Sequence, residues 1–583
     1  MRTLTRDAVK NINKTIVVQG WVQSRRDHGG LLFIDLRDHA GILQLTIDSS
    51  KNEFHVAEEL RDEFVIEASG IVKERDEQLK NPNLATGSIE LFVDNLRILN
   101  KSEPLPILVN SNLHISEDNR LKYRYLDLRR PKMQTMLKKR AEYYTVIRKY
   151  MEAHDFTEVA TPILANSSPE GARDFLVPSR VHQGAFYALP QAPQQFKQLL
   201  MVGGVSQYYQ IATCFRDEDP RADRLYGDFY QLDLEMSFVE DGETIRRTME
   251  PLVKELVTDF GNKKLMSDDV PRITYKDAME RFGTDKPDLR FSMEIVDLTD
   301  TLKNCGFGVF TNAISDGGAV KAICVSKQFS RSQIDSLTNL AKQHGAGGLP
   351  YLTVADGVAT SSIAKFFTEQ DLKNIVDITG AVDGDTILFG SDKREKVNKV
   401  LGEIRNHLGD LLELKDPNSV ALAWIIDFPF YEYDEKTKKL DFGHNPFSMP
   451  KGGLDVLTSD DKLAIVADQY DMVMNGYEIC SGAVRNHNPE VMYKVFSVLG
   501  YDEKYVESKF GAMLNAFKYG APPHAGCAFG LDRIFMVLMG EDNIREVVAF
   551  PKNGSGIDVM MNSPSTIESD QLKELHIAVI ESE

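Results

Sequence analysis

The sequence predicts a multidomain protein in which an all-β module precedes a larger part of mixed α and β structure. At 583 residues, the chain is too long for a single domain of about 150 residues. Short β-rich runs dominate residues 14–99, whereas helical and strand patterns alternate after residue 128. A second mixed block, residues 272–413, lies between Pro271 and a turn at 416–418 and is predicted to be an inserted domain.

The composition excludes several classes of protein. Hydrophobic residues make up 42% and charged residues 27% of the chain, which excludes a collagen-like or largely disordered protein. No apolar run reaches the roughly 18 to 20 residues that span a bilayer, and the first seven residues lack the apolar core of a signal peptide. Five cysteines without a C-x-x-C pair predict neither a disulfide framework nor a thiolate zinc site. We therefore expect a soluble, cytoplasmic protein with no membrane partner.

Residues 1–104 are predicted to form a barrel of the OB type. A helical pattern at 51–61 lies between the third and fourth of five β-rich runs, which are 15–23, 31–37, 42–47, 64–72 and 88–99. Phe33, Asp35 and Arg37 share one face of the second run, opposite three aliphatic residues, and Gln44 has the same setting in the third. An exposed aromatic ring, arginine and amide are typical of OB folds that bind single-stranded bases. The alternative is a half-buried sheet with a solvated side.

Charge is distributed unevenly along the chain. A net charge of −19 should repel nucleic acid unless a local basic surface exists. Residues 1–104 contain 14 Lys and Arg against 17 Asp and Glu, whereas residues 105–150 contain 11 against 4. Residues 105–128 are predicted to be a hinge, after which Pro131 opens a long helix with an exposed Lys/Arg face. This basic stretch is the predicted contact for a nucleic-acid backbone, and a solvated charged face is the alternative.

The densest polar constellation spans residues 212–237. Strands are predicted at 212–216 and 229–238, with a charged loop between them. Asp233 and Glu235 fall on one face of the second strand, beside Arg216, which favours a site over a solvent-facing sheet side. Upstream, residues 156–164 are predicted to be a strand at an edge or interface, because Pro162 interrupts it.

Two further clusters lie near the end of the chain. One contains Asp471, Glu478 and Arg485, and the other is the small-residue segment AGCAFGLDR (525–533), where backbone can approach closely. The chain contains neither a P-loop nor a Rossmann fingerprint, so a nucleotide would be held in another way.

These elements, in this order, resemble the three motifs of class II aminoacyl-tRNA synthetases. More narrowly, the chain resembles bacterial-type aspartyl-tRNA synthetases in the segments PEGARDFLVPSR (169–180), QAPQQFKQLLM (191–201), RDEDPRADR (216–224), DKPDLR (285–290) and FGLDR (529–533). The resemblance covers essentially the whole chain. It implies an anticodon-binding OB domain at 1–104, a hinge at 105–128 and a GAD-type α+β insert at 272–413. The α+β class II core with its antiparallel sheet would occupy 129–271 and 414–583, the latter with a C-terminal extension.

The resemblance also implies a two-step reaction. Aspartate would attack the α-phosphate of ATP to give aspartyl-adenylate, and the terminal ribose of tRNA-Asp would then accept the aspartyl group. Positioning and charge stabilisation would do this work, without a protein nucleophile. Mg²⁺ is the implied cofactor, and a homodimer is implied because Pro162 falls in the motif of the class II dimer interface.

Residue roles follow from position in the family. The implied catalytic residues are Arg216, Glu218 and Arg533. The implied aspartate-binding residues are Glu170, Gln194, Lys197, Arg216, Asp233, His444 and Arg485. The implied ATP-binding residues are Arg216, Asp217, Glu218, Glu478, Gly530, Leu531, Asp532 and Arg533. The implied metal ligands are Glu235, Asp471 and Glu478. The implied anticodon-binding residues are Arg26, His28, Phe33, Gln44, Gln78 and Glu90.

The chain departs from the family pattern in two informative places. Residues 224–229 replace a shorter R-Q-P-E-F loop, so a glutamine expected near ATP is absent. His28 is typical of members that also charge tRNA-Asn, whereas Gln78 is not the small residue that accompanies it there. Our hypothesis is that tRNA-Asn is charged as well. The alternatives are a tRNA-independent ligase that adenylates aspartate and an inactive RNA-binding paralogue.

Overall fold

The computed structural model describes residues 1–111, 113–167, 171–434 and 437–580. The chain divides into two compact units, one of residues 1–138 and 558–562 and the other of residues 139–557 and 563–583. Across the described ranges, we find no helix with the length and apolar character needed to cross a membrane.

A closed barrel forms most of the first unit and confirms the predicted OB fold. Its elements are β1 (Thr15–Asp27), β2 (Leu31–Asp38), β3 (Gly41–Asp48), α1 (Glu53–Glu59), β4 (Val65–Glu74) and β5 (Ile89–Asn100). The strand order is β1-β2-β3-β5-β4, and the β3–β5 pair that closes the barrel is parallel. Leu32, Ile34 and Leu36 are fully buried in the barrel core, as the alternation in the sequence predicted.

The basic segment after the barrel contains α2 (Glu117–Lys122), α3 (Arg124–Asp127) and α4 (Pro131–Ala153). Asp127 is fully buried and forms ion pairs with Arg120 at 3.1 Å, Arg124 at 2.5 Å and Arg130 at 3.3 Å. Arg129 pairs with Glu63 at 2.9 Å. A buried carboxylate needs such partners, so much of this positive charge stabilises the fold. These four arginines lie before Pro131, where the helix with the predicted Lys/Arg face begins, and the role of that face stays a prediction.

The elements that follow belong to the second unit. They are β6 (Thr157–Glu158), β7 (Leu176–Pro178), β8 (Phe186–Ala188), α5 (Gln194–Val202), β9 (Gln207–Arg216), β10 (Gly227–Ser237), α6 (Gly242–Glu255), β11 (Lys264–Leu265), β12 (Arg272–Thr274) and α7 (Tyr275–Phe282). The strand predicted over 156–164 is wrong in length. Pro162 has no N–H to donate to a ladder, and Ile163 and Leu164 beside it are 42% and 52% exposed.

The inserted α+β block has its own sheet. Its elements are β13 (Ile295–Asp297), α8 (Thr299–Leu302), α9 (Gly308–Ser315), β14 (Ala319–Val325), α10 (Arg331–Gln343), β15 (Tyr351–Ala355), β16 (Val358–Thr360), α11 (Glu369–Thr379), β17 (Thr386–Asp392) and α12 (Arg394–Leu411). The strands are antiparallel in the order β13-β14-β17-β15-β16. Two buried apolar clusters, one containing Phe310 and the other Leu401, pack against this sheet.

After the inserted block, the chain continues with the last elements of the second unit. The remaining elements are β18 (Ser419–Val420), β19 (Leu422–Ile426), β20 (Tyr431–Asp434), β21 (Lys439–Phe442), α13 (Gly453–Val456), β22 (Gln469–Met474), β23 (Tyr477–Val484), α14 (Pro489–Val498), α15 (Glu503–Phe517), β24 (His524–Gly530), α16 (Leu531–Met539) and α17 (Ser569–Glu574).

The main sheet has the order β12-β19-β22-β23-β24-β10-β9-β6. Its pairs are antiparallel except at the two edges, β12–β19 and β9–β6, which confirms the predicted antiparallel sheet. Because β12 belongs to this sheet, the predicted start of the insert at residue 272 is too early. Strands β22, β23, β24 and β10 lie side by side, so residues more than 200 positions apart in the chain meet on one surface.

Candidate active site

A cavity of about 380 Å³ opens over the central strands of the main sheet, a size typical of small-molecule sites. Many of the predicted site residues line it, namely Gln194, Lys197, Arg216, Glu218, Asp233, His444, Asp471, Glu478, Arg485, Gly530, Asp532 and Arg533. Asp217, Leu531 and Glu235 are not among the lining residues. Glu170 lies outside the described residues.

Two linked ion pairs form the buried end of the site. Lys197 Nζ, on α5, lies 2.7 Å from Asp233 Oδ2 and 3.4 Å from Glu235 Oε2. Arg485, which follows β23, donates to both Glu235 oxygens, at 3.0 and 3.2 Å. All four side chains are at most 2% exposed. Although burial favours the neutral acid, Arg485 and Lys197 outweigh it and lower the pKa of Glu235. Two carboxylates of the pocket thus hold the two cationic side chains, Lys197 and Arg485, in place.

Glu235, which family position placed among the metal ligands, is bonded by two cationic side chains of the protein. Its two oxygens are taken by Arg485 and Lys197, and it points to the neighbouring strand rather than into the cavity. Within the described ranges, no three His, Cys, Asp or Glu side chains are grouped so that they could hold one ion. Of the three implied metal ligands, Asp471 and Glu478 line the cavity.

Gly526 makes room for Glu235. The two residues are directly opposite each other on β24 and β10. A Cβ at position 526 would lie 2.1 Å from Glu235 Oε2 and 2.2 Å from the Leu234 carbonyl oxygen. Only glycine allows this approach. The run of small residues in the sequence indicated a close backbone contact, but it did not identify the carboxylate as the group accommodated.

Several polar atoms in the cavity wall lack an internal partner. Among the described residues, Arg216 Nε, Asp233 Oδ1 and Asp471 Oδ1 are buried without a hydrogen bond. Burial raises the pKa of Asp233, with Lys197 opposing it, and the Arg216 guanidinium lies over the Phe229 ring at 5.1 Å. Buried polar groups are nearly always satisfied, so these atoms are available to bond a ligand. They call for a donor or cation at the two carboxylates and an acceptor at Arg216.

Asp471 and Glu478 lie on the neighbouring strands β22 and β23. Burial and, second, the charge of Glu478 raise the pKa of Asp471 well above its usual range. A cation between them would remove this repulsion. Mg²⁺ is commonly held by one or two carboxylates together with substrate phosphates, so two protein ligands are a sufficient set.

The opposite end of the cavity carries arginines. Arg533 pairs with Asp223 at 3.2 Å and donates to the Glu478 carbonyl oxygen, while Arg224 pairs with Glu218 at 2.7 Å. These contacts connect the charged loop 217–226 to the start of α16. A ligand at Glu218 Oε2 would compete with Arg224 for that oxygen.

Three of the residues predicted to bind ATP have other contacts. Asp532 forms an ion pair with Arg140 and accepts from the Tyr230 N–H at 2.9 Å. Asp217 accepts from the Tyr226 hydroxyl at 3.3 Å. The Leu531 side chain is 1% exposed. For these residues the structure favours a supporting role, since their side chains contact protein.

The barrel carries a second polar surface. Arg26 lies opposite Phe33, which in turn lies opposite Thr46, across the strands β1, β2 and β3. Arg26 donates to Gln44 Oε1 at 3.3 Å, and Gln44 donates to Glu90 Oε2 at 3.3 Å. Four of the predicted anticodon-binding residues, each on a different strand of the barrel, are therefore neighbours on one face. Strand alternation alone did not place His28 and Arg75, which also belong to this surface.

His28 and Arg75 extend the barrel surface. The His28 ring packs edge-on to Phe33, with 5.6 Å between ring centroids. Gln78 lies in an exposed 3₁₀ turn, Glu77–Leu79. The sequence analysis did not identify Arg75, which follows β4. Its Nε is buried without a partner among the described residues. Burial lowers the pKa of Arg75, although Glu90 and Asp35 act in the opposite direction. A single arginine after a strand gives no distinctive sequence signal.

The fold and the cavity together define a class II synthetase: an antiparallel sheet carries arginines and carboxylates around a pocket, and an OB barrel precedes it. Two family models match the chain. Residues 116–554 match "tRNA synthetases class II (D, K and N)", and residues 16–99 match "OB-fold nucleic acid binding domain". The chain belongs to the class II tRNA synthetases of the D, K and N group.

Relatives of similar length share close to half of the sequence. An aspartate–tRNA(Asp/Asn) ligase of Chlorobium phaeobacteroides (strain BS1) is 48% identical over 568 residues, which cover 97% of this chain and 93% of the relative. A ligase of the same name from Zymomonas mobilis subsp. mobilis (strain ATCC 31821 / ZM4 / CP4) is 46% identical, over 98% of this chain and 96% of its own.

Solved structures share the fold. An aspartyl-tRNA synthetase from Entamoeba histolytica has a TM-score of 0.57 at 18% identity, covering 95% of this chain and 92% of its own. An asparaginyl-tRNA synthetase from Pyrococcus horikoshii, complexed with asparaginyl-adenylate, has a TM-score of 0.56 at 18% identity, covering 94% and 98%. At this identity the likeness concerns the fold alone.

Proposed function

We propose that this protein attaches L-aspartate to tRNA-Asp, and also to tRNA-Asn, through an aspartyl-adenylate made from ATP. The observation that carries the proposal is the buried set Lys197–Asp233 and Glu235–Arg485, in which Asp233 Oδ1 has no partner among the described residues. The relatives named aspartate–tRNA(Asp/Asn) ligase, at close to half identity over nearly the full length, support the same reaction. We propose the cytoplasm as its compartment.

The pocket suits aspartate by charge. Lys197, Arg485 and His444 would hold the side-chain carboxylate of the substrate. Asp233 Oδ1 and Gln194 would accept from its ammonium group, with Glu170 as a further proposed contact. Asparagine would leave buried cationic groups imperfectly paired, which costs on the order of 1–3 kcal/mol or more. Discrimination at the amino-acid step follows from this arrangement.

Activation requires alignment of two anions. Arg216 would neutralise the α-carboxylate of aspartate and the α-phosphate of ATP, and Arg533 the triphosphate end. A carboxylate oxygen attacks the α-phosphorus, the bond to the bridging oxygen breaks, and pyrophosphate leaves. Glu218 would contact adenine or the tRNA end. Asp471 and Glu478 would hold Mg²⁺, which supplies charge neutralisation on the phosphates when bound.

In the second step the terminal ribose hydroxyl of tRNA attacks the activated carbonyl carbon and AMP leaves. No protein nucleophile takes part, so the cavity contributes position and charge. The barrel face of Arg26, Phe33, Gln44 and Glu90 would bind anticodon bases by stacking and hydrogen bonding. We propose His28 as the residue of this face that permits tRNA-Asn, and we extend the face to include Arg75.

We also propose a homodimer. The exposed Ile163 and Leu164 flank Pro162, which occupies the position of the class II interface motif. Light scattering on the purified protein should give a mass of about twice 65.6 kDa. A mass of one chain at micromolar concentration would contradict the dimer without affecting the proposed chemistry.

Two assays test the proposed function. Aspartate-dependent ATP–pyrophosphate exchange should be present and asparagine-dependent exchange should be weaker by at least a hundredfold. Charging with purified tRNA-Asp and tRNA-Asn should then yield aspartyl esters of both. Exchange without any charging would favour the tRNA-independent ligase, and no exchange would favour the inactive RNA-binding paralogue. Charging of tRNA-Asp alone would restrict the proposal to that tRNA.

A further inference from the structure

A row of hydrogen bonds runs from the wall of the cavity, where we propose that aspartate binds, to a backbone carbonyl. We call this end of the cavity the aspartate pocket. Gln194 Nε2 donates to Gln198 Oε1 at 3.0 Å, Gln198 Nε2 lies 3.0 Å from His524 Nε2, and His524 Nδ1 lies 2.8 Å from the Pro522 carbonyl oxygen. Gln198 and His524 are fully buried, and Gln194, at 5% exposed, lines the cavity. We call these three side chains the amide relay.

The far end of the amide relay fixes its direction. A carbonyl oxygen can only accept, so His524 Nδ1 must carry a hydrogen. In the neutral ring Nε2 is then an acceptor, and Gln198 must turn its NH₂ group toward it. That orientation leaves Gln198 Oε1 to accept from the NH₂ group of Gln194. The carbonyl oxygen of Gln194 is consequently the end that remains for the cavity.

The surroundings of His524 agree with a neutral ring. Its charged and titratable neighbours are Glu235 on β10, Arg485 after β23 and His487, whose ring centroid is 5.9 Å away. Phe517 of α15 covers another side at 6.2 Å. Burial lowers the pKa of His524, although Glu235 acts in the opposite direction.

We infer that His524 is a positioning residue which, through Gln198, holds the Gln194 carbonyl oxygen toward the α-ammonium group of the substrate amino acid. This inference rests on the proposed function, because it names the group that the amide relay serves. Gln194 then acts beside Asp233 Oδ1, so that one neutral and one charged acceptor meet the ammonium. With the amide reversed, Gln194 would present two N–H donors to a cation.

Breaking the amide relay should therefore weaken binding of the ammonium end and leave other contacts intact. The Gln198→Leu substitution removes the middle of the relay without touching a residue of the cavity wall. Gln194 would then lose its fixed orientation. The His524→Gln substitution is the matched control, since its carbonyl oxygen can still accept from Gln198.

The experiment measures ATP–pyrophosphate exchange with the full-length protein and competitive inhibition by succinate, which is aspartate without its amine. For Gln198→Leu we expect the KM for aspartate to rise at least tenfold, while the KM for ATP and the inhibition constant of succinate change less than twofold. For His524→Gln the KM for aspartate should rise less than threefold. If Gln198→Leu fails to fold, as judged by circular dichroism, Gln198→Met tests the same point with a flexible side chain.

Each outcome gives a decision. Equal weakening of aspartate and succinate would show a merely structural role and overturn the inference. Unchanged aspartate kinetics in Gln198→Leu, with normal exchange by the wild-type protein, would overturn the inference and leave the proposed function standing. Absence of exchange in the wild-type protein would overturn the proposed function itself.

Discussion

The aspartate pocket and the barrel face are both built from arginines, amides and carboxylates, but they differ in burial. In the pocket, Lys197 and Arg485 are at most 2% exposed, and within the part of the chain that the structure describes, Asp233 Oδ1 and Asp471 Oδ1 have no hydrogen-bond partner. On the barrel face, the Arg26 side chain is 49% exposed and is already bonded to Asp35 and Gln44. The pocket thus keeps fixed charges for one small ligand, whereas the barrel face can exchange its internal hydrogen bonds for bonds to bases.

The two regions should therefore respond differently to substitution. Removing one partner of a buried ion pair leaves the other charge uncompensated, at a cost of about 3–5 kcal/mol. Exposed pairs contribute only about 0–1 kcal/mol. We expect all-or-none effects on amino-acid activation in the pocket and graded effects on tRNA charging at the barrel.

The largest effect is expected for Arg485→Leu. The substitution leaves Glu235 buried with Lys197 alone and removes a proposed contact of the aspartate carboxylate. Loss of one partner of a buried charge pair with a ligand costs about 2–5 kcal/mol of binding, so aspartate-dependent exchange should fall by roughly thirty- to several-thousandfold. ATP binding, followed by equilibrium dialysis, should stay within about threefold. An unchanged exchange rate would refute the assignment of Arg485.

A steric substitution, Gly526→Ala, comes next. The added methyl group would lie 2.1 Å from Glu235 Oε2, so the strands must separate or the carboxylate must leave Arg485. We expect a loss of about 2–4 kcal/mol in the free energy of unfolding, measured by urea titration, together with reduced exchange. Gly511→Ala is the matched control. Gly511 lies in α15, and among the described residues no heavy atom outside the helix's own backbone lies within 4 Å of the added carbon. The substitution should be neutral or stabilise the protein by up to about 1 kcal/mol. Equal stability of both variants would contradict the role given to Gly526.

A moderate effect is expected for Phe33→Ala on the barrel face. Loss of a stacking ring costs about 1–3 kcal/mol per base, so the KM for tRNA-Asp in charging should rise about tenfold. Exchange without tRNA should be unchanged, because the substitution leaves the pocket intact. Tyr519→Ala, which removes another exposed ring at 78% exposure, is the control and should alter neither assay. A fall in exchange for Phe33→Ala would show that the two surfaces are not independent.

Sequence patterns predicted the barrel face better than the pocket. Strict alternation in a half-buried strand assigns each side chain to one of two faces, so Phe33, Gln44 and their buried neighbours were placed correctly. In the pocket, β10 is covered on both sides, and Asp233 and Glu235 are both fully buried. Alternation cannot separate a carboxylate that faces a ligand from one that faces an arginine 250 positions away. Family position therefore grouped Glu235 with Asp471 and Glu478. In the structure, Glu235 is instead bonded to Arg485 and Lys197.

Charge counting had a similar limit. It located the basic stretch after the barrel, but it could not indicate that Asp127 binds three of its arginines or that Arg129 pairs with Glu63. Only the folded chain distinguishes solvated charges from internally paired ones. Likewise, the amide relay joins residues that are 326 positions apart, and nothing in the sequence indicated that His524 meets Gln198.

The smallest effect is expected for His28→Leu, which tests whether the barrel face alone selects the tRNA. His28 is exposed and contacts Phe33 edge-on at 5.6 Å, so the substitution should leave stability and amino-acid activation unchanged. If the imidazole is what accommodates the tRNA-Asn anticodon, the ratio of kcat/KM for tRNA-Asn to that for tRNA-Asp should fall by about three- to sixfold, or roughly 0.6–1 kcal/mol. Because both tRNAs are charged by the same pocket, the ratio cancels any effect on the chemistry. An unchanged ratio would move the selectivity away from His28, and Gln78, in the exposed turn Glu77–Leu79, would be the next position to substitute.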